Sequence, residues 1–229
     1  MLVFGILSLL VVFTIKDKSS QVSTTKINKA LLINTFKNKE IFLFLLIVFL
    51  ISFPLRMGDS IFSLFITSLG GTENDVGLAW AIIAFSEVLM LMFSDRLLNR
   101  FDHLQLISFA GLIYAIRWIL YSIFPNVQLI LLFQLLQPFS FVLFYVSGLQ
   151  YMSKIVPKEL TATGQMLYFA IYTGVSGILG SSLGGFLMDT ISAQFVYQLA
   201  AIITLAGTIV SFTVYRAKKM KRYVQDIQN

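Results

Sequence analysis

The sequence predicts an all-α membrane protein: six transmembrane helices arranged as two inverted three-helix repeats, preceded by a truncated helix. Three observations predict it. Of the 229 residues, 57% are hydrophobic and only 12% charged, whereas a soluble domain is about a quarter charged; mean hydropathy is +0.84. Six apolar segments reach the roughly 20 residues that a helix needs to cross about 30 Å of hydrocarbon. Lysine and arginine, finally, gather on alternate connections between those segments.

Residues 1–15 form an apolar run too short to be a full span. No basic residue precedes it and no small-residue cleavage site follows, so it reads as the remnant of a spanning helix and not as a signal sequence. A basic linker at 16–40 carries Lys16, Lys18, Lys26, Lys29, Lys37 and Lys39. The six-helix unit occupies 41–215, with spans at 41–69, 75–94, 104–124, 127–153, 161–188 and 194–215, and a basic tail fills 216–229.

The linker, the connection with Arg96 and Arg100, the connection with Lys154 and Lys158, and the tail together hold fifteen of the seventeen basic residues. The intervening connections, GGTEND at 70–75, PN at 125–126 and DTISAQ at 189–194, hold none. By the positive-inside rule the first set is cytoplasmic, which places the C-terminus inside a plasma membrane. A net charge of +6 then reports topology and contact with anionic headgroups. Nucleic-acid binding would need a folded basic surface, which this pattern does not offer.

The chain has no cysteine, which excludes disulfide and thiolate chemistry. Its one histidine, His103, has no second ligand at metal-site spacing. Neither a metal nor a cofactor is expected, and no base stands ready for a hydrolytic triad. Nothing in the sequence argues for an enzyme.

Four ionisable groups remain inside the spans: Arg56 and Asp59 on the first, Glu87 on the second, Arg117 on the third. Each costs about 2.5–3.5 kcal/mol at mid-membrane if unpaired, so they are expected to face the bundle interior or a wet cavity. Their signs allow full compensation. Counting depth at about 1.5 Å per residue pairs Asp59 with Arg117 and Arg56 with Glu87.

Other polar residues gather at the same level. Tyr114, Arg117 and Tyr121 are spaced i, i+3, i+7, which makes one helix stripe. Gln134 and Gln137 stand immediately before Pro138, and Pro54 precedes Arg56 and Asp59. Each proline removes a backbone donor and is expected to kink its helix. The six spans thus fall into two triplets, each opened by a proline-interrupted, polar-marked helix, and the opening helices run in opposite directions. That is the pattern of inverted repeats around a central site.

The connection SDRLLNRFDH at 94–103 resembles the cytoplasmic signature of the major facilitator superfamily, with Asp95, Arg96 and Arg100 matching and Leu91 and Leu98 in place of the family's glycines. VPKELTATGQ at 156–165 is similar to the family's entry into its eleventh helix. That helix continues as YTGVSGILGSSLGGFLMD, with Gly180 and Gly184 at a spacing suited to close helix contact. Within the superfamily the nearest resemblance is to lactose-permease-like sugar and nucleoside proton symporters. Arg117, in AGLIYAIRWILYS, falls on the arginine of their ninth helix and Asp59 on the aspartate of their seventh. Where that group carries ionisable residues on the tenth helix, this sequence has Gln134, Gln137 and Ser140.

The resemblance implies the C-terminal half of a secondary active transporter that moves a small polar solute, sugar- or nucleoside-like, by alternating access. It implies proton coupling, with Asp59 or Glu87 as carrier, and a site built from Arg56, Asp59, Glu87, Tyr114, Arg117, Tyr121, Gln134 and Gln137. Asp95, Arg96 and Arg100 would serve conformational change. Tyr114, Trp118, Tyr121 and Tyr145 suit a sugar or nucleoside ring and suit interfacial anchoring equally. An N-terminal six-helix half is the implied partner, so the chain is expected to be incomplete alone. An alternative is a structural or assembly subunit without transport activity of its own. A seven-helix receptor is disfavoured, because no cysteine ties its third helix to an outer loop and the outer connections leave no ligand vestibule.

Overall fold

A computed structural model describes residues 37–228. The apolar run at 1–15 and the linker lysines Lys16, Lys18, Lys26 and Lys29 lie outside the described residues. Helix α1 (Lys39–Ser68) starts at Asn38, whose side chain accepts the Glu40 N–H at 2.8 Å. It ends in a turn at Gly70, where φ is +82°, a conformation that a residue without Cβ adopts freely. Helix α2 (Glu73–Arg100) opens on a capping box between Thr72 and Asp75, which satisfies two otherwise orphaned N–H groups. Asp102 caps α3 (His103–Ile123), and Asn126 caps α4 (Val127–Phe133).

A 3₁₀ turn at Gln134–Leu136 separates α4 from α5 (Gln137–Ile155). The fifth span contains a 3₁₀ turn at Lys158–Leu160, α6 (Thr161–Phe169), a π-helical segment at Ala170–Val175, and α7 (Ser176–Thr190). Helix α8 (Ala193–Gln228) forms the sixth. Among the described residues, six helical stretches are long and apolar enough to cross a membrane, and each contains the span read from hydropathy or matches it to within two residues at each end. The described residues form no strand, so this is an all-α, multi-pass membrane protein.

The main packing pairs are α8 on α3, α7 on α1, α8 on α1, α5 on α3 and α5 on α2. Exchanging spans one, two and three with spans four, five and six maps the α8–α3 pair onto itself and the other four pairs onto one another. That self-consistency is what two inverted triplets require. Ile47, Ile51, Met57 and Phe65 of α1 are fully buried and centre the core.

Small residues set the closest approaches. A Cβ on Gly180 would stand 2.8 Å from the Phe53 carbonyl oxygen, and one on Gly184 2.7 Å from that of Met57. The expected close contact of this pair is therefore made, and its partner is the stretch of α1 that carries Arg56 and Asp59. Beside it the Ser52 and Ser176 hydroxyls lie 2.7 Å apart, fully buried, joining α1 to α7.

The two prolines behave differently. The span holding Pro138 breaks as expected: the Gln134 carbonyl, deprived of its α-helical donor by the proline, accepts the Gln137 N–H in the 3₁₀ turn. Pro54 interrupts nothing, because α1 stays helical from Lys39 to Ser68. Its missing N–H frees the Leu50 carbonyl, and α8 closes on that residue at Gly207, where a Cβ would lie 2.8 Å from the Leu50 Cβ.

Candidate functional site

The lipid-depth polar residues assemble where α1, α3 and the 3₁₀ turn of the fourth span meet. Gln134 is the hub. Its Oε1 accepts the Tyr121 hydroxyl at 2.7 Å and the Arg117 Nη1 at 3.4 Å. Tyr114, Arg117 and Tyr121 do form one stripe of α3, and all three are at most 2% exposed. The Arg117 guanidinium lies 4.2 Å from the Trp118 ring centre, 5.4 Å from that of Tyr114 and 5.7 Å from that of Tyr121. Cation–π attraction of this kind strengthens when the cation is desolvated.

Asp59, Arg117, Tyr121 and Gln134 share the wall of one cavity with Gly58 and Trp118. Its volume is about 10 Å³, close to the least that admits one water molecule. Glycine at position 58 keeps the wall thin, since a Cβ there would lie 3.1 Å from both the Trp118 and Tyr197 rings. Tyr197, from α8, stacks on Trp118 with ring centres 5.5 Å apart.

The expected ion pairs need correction. Among the described residues the one direct ion pair joins Lys218 and Glu40 at the ends of α8 and α1; none joins the four intramembrane groups. Asp59 and Arg117 line one small cavity without forming an ion pair. Glu87 and Arg56 form no ion pair. Arg56 turns instead to the fifth span: its Nη2 donates to Thr173 Oγ1 at 3.4 Å, and its guanidinium lies 4.8 Å from the Tyr172 ring centre. Depth counting fixes height along a helix but not direction around it, so it could not show that Arg56 faces the fifth span.

Tyr172 and Thr173 were not foreseen. They sit in the π-helical segment, and a wide turn of that kind often marks a functional position. The YTG triplet is only one of several polar positions in this span, so the sequence did not single it out. Tyr168 stacks on Tyr172 with ring centres 5.8 Å apart and extends this aromatic wall.

Several buried donors face this region without a partner among the described residues: Arg56 Nε, Arg117 Nε and Trp118 Nε1. Gln137 is 6% exposed, and its Oε1 likewise has no partner among them. Buried polar groups are nearly always paired, so these unpartnered atoms set the region apart. Asp95, Arg96 and Arg100 lie apart, exposed near the C-terminal end of α2.

Comparison with known proteins decides the family. The model of the MFS_1 like family matches residues 1–199. The chain belongs to the major facilitator superfamily. The chain is similar to the maltose permease of Geobacillus stearothermophilus, 32% identical over 168 residues, and to "Uncharacterized transporter YwbF" of Bacillus subtilis, 29% identical over 202 residues. These alignments cover 73% and 88% of the chain and 43% and 51% of the relatives. The quinolone resistance protein NorA of Staphylococcus aureus is 22% identical over 184 residues, 80% of the chain and 46% of its own length. The chain thus spans about half the length of the curated relatives it matches.

Proposed function

We propose that this chain supplies the C-terminal six-helix half of a secondary active transporter that moves a small polar solute, sugar- or nucleoside-like, across the plasma membrane by alternating access. The observation that carries the reading is the set of unpartnered buried donors, Arg56 Nε, Arg117 Nε and Trp118 Nε1, beside the Tyr114, Trp118 and Tyr172 rings. A hydroxyl-rich solute offers acceptors to such donors and an apolar ring face to such aromatics. The likeness to a maltose permease supports the sugar class.

Asp59 and Glu87 are the carboxylates of the cluster, and coupling to a proton assigns the carrier role to one of them. The tail and its lysines sit in the cytoplasm by the positive-inside pattern. Asp95, Arg96 and Arg100, at the end of α2, serve the conformational change from that side.

The test is uptake in vesicles holding this chain together with a complementary N-terminal half. Radiolabelled maltose and a nucleoside are offered with and without an inward proton gradient. Expected is gradient-driven accumulation of one of them, reduced to downhill equilibration in Asp59→Asn or Glu87→Gln. Gradient-independent uptake that survives both substitutions would rule out the coupling assignment. Near-complete burial of Arg117, Tyr121 and Gln134 favours a second reading, an assembly subunit without transport of its own. In that case Arg117→Gln changes abundance and leaves the transport rate per molecule unaltered.

A further inference from the structure

A second polar constellation lies away from the intramembrane cluster, where α1 begins and the apolar part of α8 ends. Lys218 of α8 is held there: its ammonium donates to both the Glu40 carboxylate and the Tyr151 hydroxyl, and Tyr151 in turn donates to Glu40 Oε1 at 3.0 Å. The lysine also lies 5.0 Å from the Tyr151 ring centre. This strut fixes one edge of a groove of about 250 Å³ between α1 and α8.

The groove is polar at one end and apolar at the other. Lys39, Lys218 and Lys221 line its mouth, and Leu43, Ile47 and Val214 line its floor. Glu40 is the one acidic side chain in the lining, which leaves a net formal charge of +2 from three lysines and one glutamate. From Lys39 to Ile47 the floor descends eight residues, about 12 Å at 1.5 Å per residue. Lysines at headgroup level above an apolar slot that runs into the hydrocarbon match an amphiphile with an anionic head and an acyl chain. Basic pockets between spanning helices recognise anionic lipid headgroups on this physical ground.

We propose that the α1–α8 groove is a binding site for an anionic phospholipid, with the phosphate between Lys39 and Lys221 and one acyl chain along Leu43, Ile47 and Val214. The site does not depend on the transported solute or on the coupling ion. It requires only that these helix ends lie at headgroup level.

Native mass spectrometry of the full chain tests this, with phosphatidylglycerol and phosphatidylethanolamine titrated in parallel into detergent micelles. The wild type is expected to retain phosphatidylglycerol in preference. Lys39→Gln/Lys221→Gln should weaken that retention by roughly thirtyfold, a lysine near an anionic headgroup contributing about a factor of five. Lys154→Gln/Lys158→Gln, which removes two exposed lysines outside the groove, should leave it unchanged. Leu43→Trp keeps every charge and fills the slot, and should also displace the lipid. Equal retention of the two lipids, or equal losses in the two double variants, would reduce the effect to diffuse surface charge and overturn the site. Undiminished binding in Leu43→Trp, or competition by inorganic phosphate at millimolar concentration, would overturn the acyl slot.

Discussion

At the scale of single residues, Gln134 carries more than its uncharged side chain implies. One amide oxygen accepts from Tyr121 at 2.7 Å and from Arg117 at 3.4 Å, and Arg117 Nε has no partner among the described residues. Gln134→Leu therefore leaves a buried guanidinium and a buried phenol short of acceptors at once. An interhelical hydrogen bond in a membrane averages only about 0.6 kcal/mol, but an orphaned buried donor costs about 1–3 kcal/mol and more when charged. The expected result is a loss of at least 2 kcal/mol, read as a lower unfolding midpoint in detergent. Tyr121→Phe, which removes one donor and orphans no charge, should lose less than half as much. The stripe of Tyr114, Arg117 and Tyr121 was legible because helical spacing determines which residues share a face. Gln134 was named as a site residue, but its bonds to this stripe were not legible, because a sequence gives heights along two helices and not their relative rotation. Arg56 shows the same limit more sharply: its ring partner Tyr172 lies in a π-helical turn, which shifts the face that 3.6-residue periodicity would assign.

At the scale of elements, the contact between α7 and α1 depends on absent side chains. Gly180 and Gly184 lie against the Phe53 and Met57 carbonyl oxygens, within 2.8 Å of where a Cβ would stand. Backbone cannot rotate aside as a side chain can, so even alanine forces the helices apart. Gly180→Ala and Gly184→Ala are each expected to destabilise by about 1–3 kcal/mol, the range for overpacked cores. Gly185→Ala adjoins the same motif but meets nothing within 4 Å, and it should be neutral or slightly stabilising, since glycine in a helix costs up to about 1 kcal/mol relative to alanine. Thermal unfolding of the three variants in one detergent separates these outcomes; equal midpoints would show that α7 is not clamped to α1. The six spans and this glycine pair were readable, because length, hydropathy and i, i+4 spacing are local properties. Pro54 was misread as an interruption for the complementary reason. A proline deletes one hydrogen bond, and whether the helix breaks depends on what packs beside it, here Gly207 of α8 closing on Leu50.

At the scale of the molecule, burial is unevenly shared among the spans. In their most apolar windows the second and fifth spans are 17% and 22% buried, against 44–56% for the other four. The exchange that relates the two triplets also relates these two spans, so the exposed pair follows from the symmetry of the fold. Their outward surfaces are not uniformly lipid-like: Thr173 and Ser181 are exposed on the fifth span, and Glu87 is only half-buried on the second. Polar groups facing hydrocarbon are costly unless protein or water covers them. The alignments cover only about half of the relatives' length, and a complementary half is the cover that we expect here. Reconstituted alone, the chain should show no solute uptake above protein-free vesicles and a low unfolding midpoint. Adding a complementary half should raise that midpoint by several degrees, at about 2–4 °C per kcal/mol for a chain of this size, and should restore uptake. Transport by the chain alone would mean that one half suffices, through self-pairing or otherwise. A midpoint unmoved by the second half would mean that the second and fifth spans are stable in lipid as they stand.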